Sequence, residues 1–363
     1  MENKDKIMKV EEIITKLSNN DFNIYFFVID SKGAPNGEVK YIYDIALSLY
    51  DLKYNVIMIH QEDEFVGPFE WLGDKYSVLK HKHVGKDNIV ISASDFLFIP
   101  EVYSNIISQT KTLPCKRIVL YYNPEYLLEF MPVTATYNDM GIYDVVTTNT
   151  NMSLNIKTYF PNVNVRVIPP SIRDFFKNTN VAKKMIVNIL TPSGIETNSI
   201  VKPFYWKNPM YKWITFRDLK ETAQEPLAEM MSEAAITVWV DDNTQNAQTA
   251  LEALKAGSIL IAKVPQTIPD WMIKNGELRD DVIWVDSYAM LHDVLSSVIR
   301  GWTKDEIVDR YLTVYETISN VFTIAQQNTA VKKEIIDGIF DDTIKSYNHI
   351  LSGMKNKKEN NEE

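Results

Sequence analysis

The sequence predicts an α/β protein of two domains, and three observations predict it. Apolar runs of strand length alternate with helix-length segments along most of the chain. Several of these runs are apolar nearly throughout, as parallel strands covered on both faces are. The 363 residues, 45% of them hydrophobic, suit two packed cores better than one. The pattern is plainest from Ala235 to Ala262. A strand-like run, Ala235–Val240, is followed by polar residues able to cap a helix, Asn243 or Thr244. Ala247, Ala250, Leu251 and Leu254 then fall on one helical stripe, Gly257 stops the helix, and Ser258–Ala262 begins another buried strand. Glu252 lies off the centre of that stripe, about two turns in from the expected start.

Taken in order, Ile7, Val10, Ile13, Ile14 and Leu17 mark an N-terminal helix, and Phe22–Ile29 reads as the first central strand. Ser31–Gly37 is a glycine-containing turn. A helix follows with Val39, Ile42, Ala46 and Leu49 inward, then a strand at Asn55–Ile59. Gly33 and Gly37 permit close backbone approach and positive φ, which suits a ligand loop as well as an ordinary turn. The loop is neither Gly-x-Gly-x-x-Gly nor a Walker phosphate loop. His60 closes its strand, and His81 and His83 alternate on one strand face without a convincing further metal ligand, so they are expected to face solvent. Strands at 95–101 and 117–125 bring Glu101, Asn123 and Glu125 to strand ends, where each glutamate is a cap or surface charge unless a site forms there. Strand 143–148, helix 151–160 and strand 163–168 complete the first half, and Pro169-Pro170 stops it.

The second half opens with strand Lys184–Leu190 and the loop Thr191–Gly194. Tyr211–Phe216 is a strand candidate, and Leu227, Met230, Met231 and Ala234 form a helical face whose methionines fill a core. Beyond the central unit come a strand at 281–286 and a helix containing His292. Thr303 and Glu306 have capping-box spacing, which predicts a helix start, and Ile307, Tyr311, Val314, Ile318, Val321 and Ala325 would line one side of a long helix.

Composition narrows the function. The formal net charge is −10, and no basic block interrupts it except the short lysine-containing tail, which gives no strong nucleic-acid signal. The single cysteine, Cys115, excludes an intrachain disulfide and a cysteine-rich metal site, and it suits a reducing cytoplasm. Met1–Lys9 lacks the apolar run of a signal peptide, and no long apolar segment predicts a transmembrane span.

Two strings carry a family resemblance. Glu252-Ala253-Leu254-Lys255-Ala256-Gly257 resembles the Glu-Ala-Met-Ala-x-Gly string of the retaining family 4 of GT-B glycosyltransferases, whose sites carry a Glu-x7-Glu pattern. Ile168–Phe176 resembles that family's Ile-Pro-x-Gly-Val-Asp segment between domains, with Ser171 in place of glycine and Arg173 in place of aspartate. Thr244 stands where the family has its first glutamate, so the motif is degenerate.

The resemblance implies two Rossmann-like domains facing a cleft, with C-terminal helices crossing back to the first domain. Residues 1–170 would bind the acceptor and 183–335 the nucleotide sugar; 336–354 would be the cross-over helix and 355–363 a disordered tail. Glu252 would hold the donor ribose. Asn243 and Thr244 would meet its phosphates, with Lys202 or Lys207 supplying positive charge. The Gly33/Gly37 loop would approach the donor or acceptor. No metal or other cofactor is implied, and the donor substrate is a nucleotide-diphosphate sugar. The function expected is therefore metal-independent glycosyl transfer to an unspecified acceptor, in the cytoplasm of a bacterium or as a phage product. The competing expectation is a glycosyltransferase-like protein without catalysis, a structural or virion-associated component with oligomer or virion partners. A nicotinamide-dependent dehydrogenase shares the alternation but lacks its glycine fingerprint.

Overall fold

The computed structural model describes residues 2–179, 182–191, 197–241, 246–304 and 314–359. Two α/β units emerge. The first takes the N-terminal residues to Phe69, Gly73–Pro169 and the residues from Ala325 onward; the second takes Glu70–Leu72 and Pro170–Ile324.

The first unit is built on a seven-stranded sheet of β1 (Asn23–Phe27), β2 (Asn55–His60), β3 (Lys80–His83), β4 (Phe96–Pro100), β5 (Lys116–Tyr121), β6 (Asp144–Thr147) and β7 (Asn164–Val167). Their order is β3-β2-β1-β4-β5-β6-β7, and every pairing is parallel. The central strands are the apolar runs of the sequence because both sheet faces are covered there. Phe26 and Phe98 sit opposite each other in the register of β1 and β4, their rings stacked at 4.6 Å.

The second unit has a five-stranded parallel sheet in the order β14-β11-β10-β8-β9: β8 (Lys184–Leu190), β9 (Thr215–Asp218), β10 (Ala234–Trp239), β11 (Ile259–Lys263) and β14 (Ile283–Val285). A small antiparallel hairpin, β12 (Ile273–Lys274) and β13 (Glu277–Leu278), lies outside it. The two-residue period of a strand divides the core between the faces. Ile236, Val238, Ile259 and Ile261 join one apolar cluster, while Trp239, Leu260 and Ala262 join the other, with Ala250, Leu251 and Leu254 packed on it.

The C-terminal segment runs through helix Ile324–Val331, a π-helical stretch Lys332–Phe340 and helix Asp341–Glu359. It packs back onto the first domain, as expected. Phe340 lies among Phe22, Tyr54 and Phe96, with ring centroids 5.2, 5.5 and 4.2 Å away. Arg166 on β7 reaches Asp342 at 2.7 Å, and Lys355 reaches Glu11 at 2.8 Å.

Two local expectations need correction. The strand expected at 211–216 forms later, at Thr215–Asp218, after a 3-10 turn at Pro209–Tyr211. It is an edge strand, half exposed, so its apolar pattern is weak. Thr303 closes the helix Tyr288–Thr303, its hydroxyl donating to Arg300 O at 2.8 Å, while Glu306, Ile307 and Tyr311, the rest of the expected capping box and the start of the expected stripe, lie outside the described residues. The long helical stripe is broken: Val314–Ile318 is one short helix and Ile324–Val331 another, and Phe322 between them has φ +53°.

Removing the Phe340 ring tests the return of the C-terminal helices. Phe340→Ala is expected to destabilise the first domain by about 3 to 5 kcal/mol, seen as a lower urea midpoint of the transition that domain reports. An unchanged midpoint would show that this contact contributes nothing.

Candidate functional site

An open parallel sheet buries its strands and offers ligands its carboxyl ends, most of all where the strand order reverses. In the first sheet that reversal falls between β1 and β4, and in the second between β8 and β10. The loops that leave these four strands are therefore the places to build a site.

After β1 the chain turns through Lys32 and Gly33, which has φ +79°, a conformation that glycine adopts without strain. Asn36 then caps the helix Gly37–Asp51, its side-chain oxygen accepting from Glu38 N at 2.9 Å and Val39 N at 3.0 Å. At Gly37 a Cβ would stand 2.6 Å from the Tyr122 hydroxyl, so the absence of a side chain lets the helix start approach the loop after β5. Tyr41, one turn on, donates to Ile168 O at 2.8 Å.

Two carboxyl groups are buried beside this loop. Glu38 is 4% exposed and Glu101, the residue after β4, is 2% exposed. Glu101 accepts from the backbone amides of Tyr122, at 2.8 Å, and Asn123. Glu101 was expected to be a cap or a surface charge; the paired ends of β4 and β5 carry it inside instead. Burial pushes its carboxyl up to about 8, against the lowering effect of those amides. Burial also raises Glu38 well above the usual carboxylate range, and the charge of Glu101 raises it further. A carboxyl that holds its proton near neutral pH can donate a hydrogen bond or exchange a proton with a hydroxyl group. Asn36 was missed from sequence although an Asn directly before Gly-Glu is a cap signal. The pairing of Glu38 with Glu101 has no local signal.

In the second unit, the α-helix after β10 runs Gln248–Lys255 and follows Ala247, whose backbone is left-handed at φ +45°. Asn243 and Thr244 lie outside the described residues. With the helix starting at Gln248, Glu252 sits about one turn in, not two, and it is buried at 1% exposure. Two hydrogen bonds fix the approach. Gln248 Nε2 donates to Ser171 O at 2.9 Å, tying the helix start to the Ile168–Phe176 string. Trp271 Nε1 donates to Asn246 O at 3.0 Å, holding the loop that leaves β10.

The remaining candidates are dispersed. Lys202 is exposed on the helix Asn198–Lys207 that follows β8. Lys207, in the last turn of that helix, pairs with Asp293 at 2.6 Å. His292 lies on Tyr288–Thr303 with Nε2 3.1 Å from Ile200 O. Glu125 is exposed, its amide capped by Asn123. His81 does not face solvent as expected. It packs against Tyr43, Phe65 and Phe69, and burial together with His60 lowers it to about 4. Among the described residues, no group of three or more His, Cys, Asp or Glu side chains is arranged to hold a metal ion.

The buried carboxyls make a pH prediction. Because Glu101 has a higher pKa folded than unfolded, its stabilising contribution is full below about 4.5 and is lost as pH rises through about 8. Glu101→Gln is expected to reduce the fall in thermal midpoint between acid and mildly alkaline pH. Parallel curves for the two proteins would mean that Glu101 does not carry this linkage.

A scan against protein-family models matches none, and no curated protein matches by sequence. Solved structures do match over nearly their full length. Sucrose-phosphate synthase from Thermosynechococcus elongatus aligns with a TM-score of 0.60 at 11% identity, over 88% of this chain and 99% of that one. The pneumococcal O-GlcNAc transferase GtfA, solved in complex with UDP and GlcNAc, aligns at 0.59 and 10% identity, over 88% and 99%. A glycosyltransferase from Rickettsia africae aligns at 0.57 and 13%, over 88% and 98%. At these identities the likeness establishes architecture alone: the chain has the GT-B fold, built from two Rossmann-like domains.

Proposed function

We propose that this protein is a glycosyltransferase, moving a sugar from a nucleotide-diphosphate donor to an acceptor. The observation that carries the reading is the position of Glu252: a buried carboxylate one turn into the helix that leaves β10, beside the strand-order reversal of the second sheet. The GT-B fold and the Glu252–Gly257 string support it, and GtfA, one of the structural neighbours, was solved with UDP.

In this proposal Glu252 accepts hydrogen bonds from the donor ribose hydroxyls. Asn243 and Thr244 meet the diphosphate, and Lys202 offsets its growing charge as the bond from the anomeric carbon to the phosphate oxygen breaks. Lys207 is the weaker candidate for that role, since Asp293 already neutralises it. The Gly33–Gly37 loop takes part in binding donor or acceptor, and the acceptor oxygen forms the new bond to the anomeric carbon as its proton passes to the departing diphosphate. Phosphate charge is met by backbone amides and a lysine, so the reaction needs no metal ion. A cytoplasmic setting, in a bacterium or as a phage product, belongs to the same proposal. Among the described residues, no helix is long and apolar enough to cross a membrane.

One observation favours a second reading. Thr244 occupies the position of the donor-facing glutamate, which suits a protein that keeps the fold for a structural or virion-associated role without turnover.

Calorimetric titration with a panel of nucleotide diphosphates and nucleotide sugars separates the two. The proposal expects selective binding, weakened about tenfold or more in Glu252→Gln by loss of charge-assisted hydrogen bonds, and transfer or donor hydrolysis by the original protein. Absence of binding across the panel, by folded protein, sinks the transferase reading and leaves the structural one.

A further inference from the structure

The far end of the same helix faces a different environment. Ile172–Asn178 follow closely on the chain's entry into the second domain at Pro170, and Ser319 and Thr323 come just before it leaves at Ile324. Ile172 N donates to Phe322 O at 2.8 Å, which joins the two segments. These segments and Lys255 line a cavity of about 260 Å³ within this domain that is partly open to solvent. Three cations line it, Arg173, Lys177 and Lys255, against one carboxylate, Asp174. Asn178, Ser319 and Thr323 add an amide and two hydroxyl groups.

This is an unusual concentration of positive charge in a chain of net charge −10. Arg173 is 5% exposed and Lys255 7% exposed, so two of the three cations are largely withdrawn from water. Withdrawing an ammonium group is unfavourable unless an opposite charge compensates. The carbonyl end of the helix, where Lys255 sits, compensates part of it. Burial lowers the Lys255 ammonium to about 8, with Asp174 and Glu252 acting in the opposite direction. Three cations among the lining residues, with Asp174 and the nearby Glu252 as the acidic groups acting on Lys255, make the cavity suited to an anion. A tetrahedral phosphate has three terminal oxygens for a guanidinium fork, ammonium groups and hydroxyls to share.

We propose that the cavity bounded by Arg173, Lys177, Lys255, Ser319 and Thr323 is a binding site for a phosphate monoester, separate from the donor site at the start of the helix. The site draws on both chain segments next to the points where the chain enters and leaves the domain. It does not depend on the transferase reading, because none of these residues is assigned to the donor.

The test is calorimetric titration of the full-length protein with inorganic phosphate and with glycerol 3-phosphate, at constant ionic strength. Both probes are expected to bind, and Lys255→Met is expected to weaken them about tenfold or more. Lys177 is exposed and dispensable for packing, so Lys177→Met provides a second variant if Lys255→Met does not fold. It is expected to weaken phosphate binding while leaving nucleotide-diphosphate binding unchanged. Co-sedimentation with phosphatidic acid vesicles, abolished by Lys177→Met, would identify a lipid headgroup as the source of the phosphate; binding of the two soluble probes alone would identify a small molecule. No binding of any probe overturns the proposal. So does phosphate binding that ignores both substitutions, or that a nucleotide diphosphate displaces and Glu252→Gln weakens, since the phosphate would then occupy the donor site.

Discussion

Parallel strands covered on both faces confine polar chemistry to their ends, and the candidate residues of each domain, taken by itself, follow from that constraint. A side chain in the middle of β1, β4 or β10 points into apolar packing on either face, so a charged group there would be stranded. The loops after the strands are released from it. Where the order reverses, the two loops diverge to opposite faces and leave room between them. Glu101 comes from one such loop, and Glu38 from the helix that leaves the other. Glu252 comes from the helix that leaves β10.

The same constraint explains why so much of the fold was legible and so little of the site. Long apolar runs such as Phe22–Ile29 and Lys184–Leu190 announce strands because burial on both faces leaves no polar alternation to confuse them. Legibility fails at the edge of the sheet, where β9 is half exposed and Trp213, an exposed aromatic, shifts the expected strand upstream.

Candidate residues are legible where their signal is local. Gly33 and Gly37 stood out because glycine in a strand-to-helix turn has a backbone meaning, and Glu252 because it opens a string with a helix stop. Glu101 looked like an ordinary polar residue after a strand. Once buried it is met by the amides of Tyr122 and Asn123, which follow the next strand, 21 and 22 residues on. His81 was equally opaque: three aromatic rings from two other segments exclude water from it. The cationic cavity combines residues near 175, 255 and 320, and no window of sequence contains it.

Burial also bears on the choice between a working enzyme and a structural relic. A carboxyl taken out of water is destabilising unless it is protonated or well compensated, and an isosteric apolar or amide side chain commonly serves a fold better. This chain keeps Glu38, Glu101 and Glu252 almost wholly buried, and all three lie on elements bordering a strand-order reversal. A domain used only as a spacer gains nothing from carboxyls held there. A domain that must recognise hydroxyl groups does gain, because a preorganised carboxyl needs little reordering when the ligand arrives. Departures from local stability rules concentrate where function requires them. Thr244 removes one acidic group from the Glu-x7-Glu pattern, while Glu252 remains in place and Glu38 and Glu101 are buried outside that pattern. That asymmetry favours a site altered in its chemistry over one abandoned by it, and it makes ligand recognition the property to expect first.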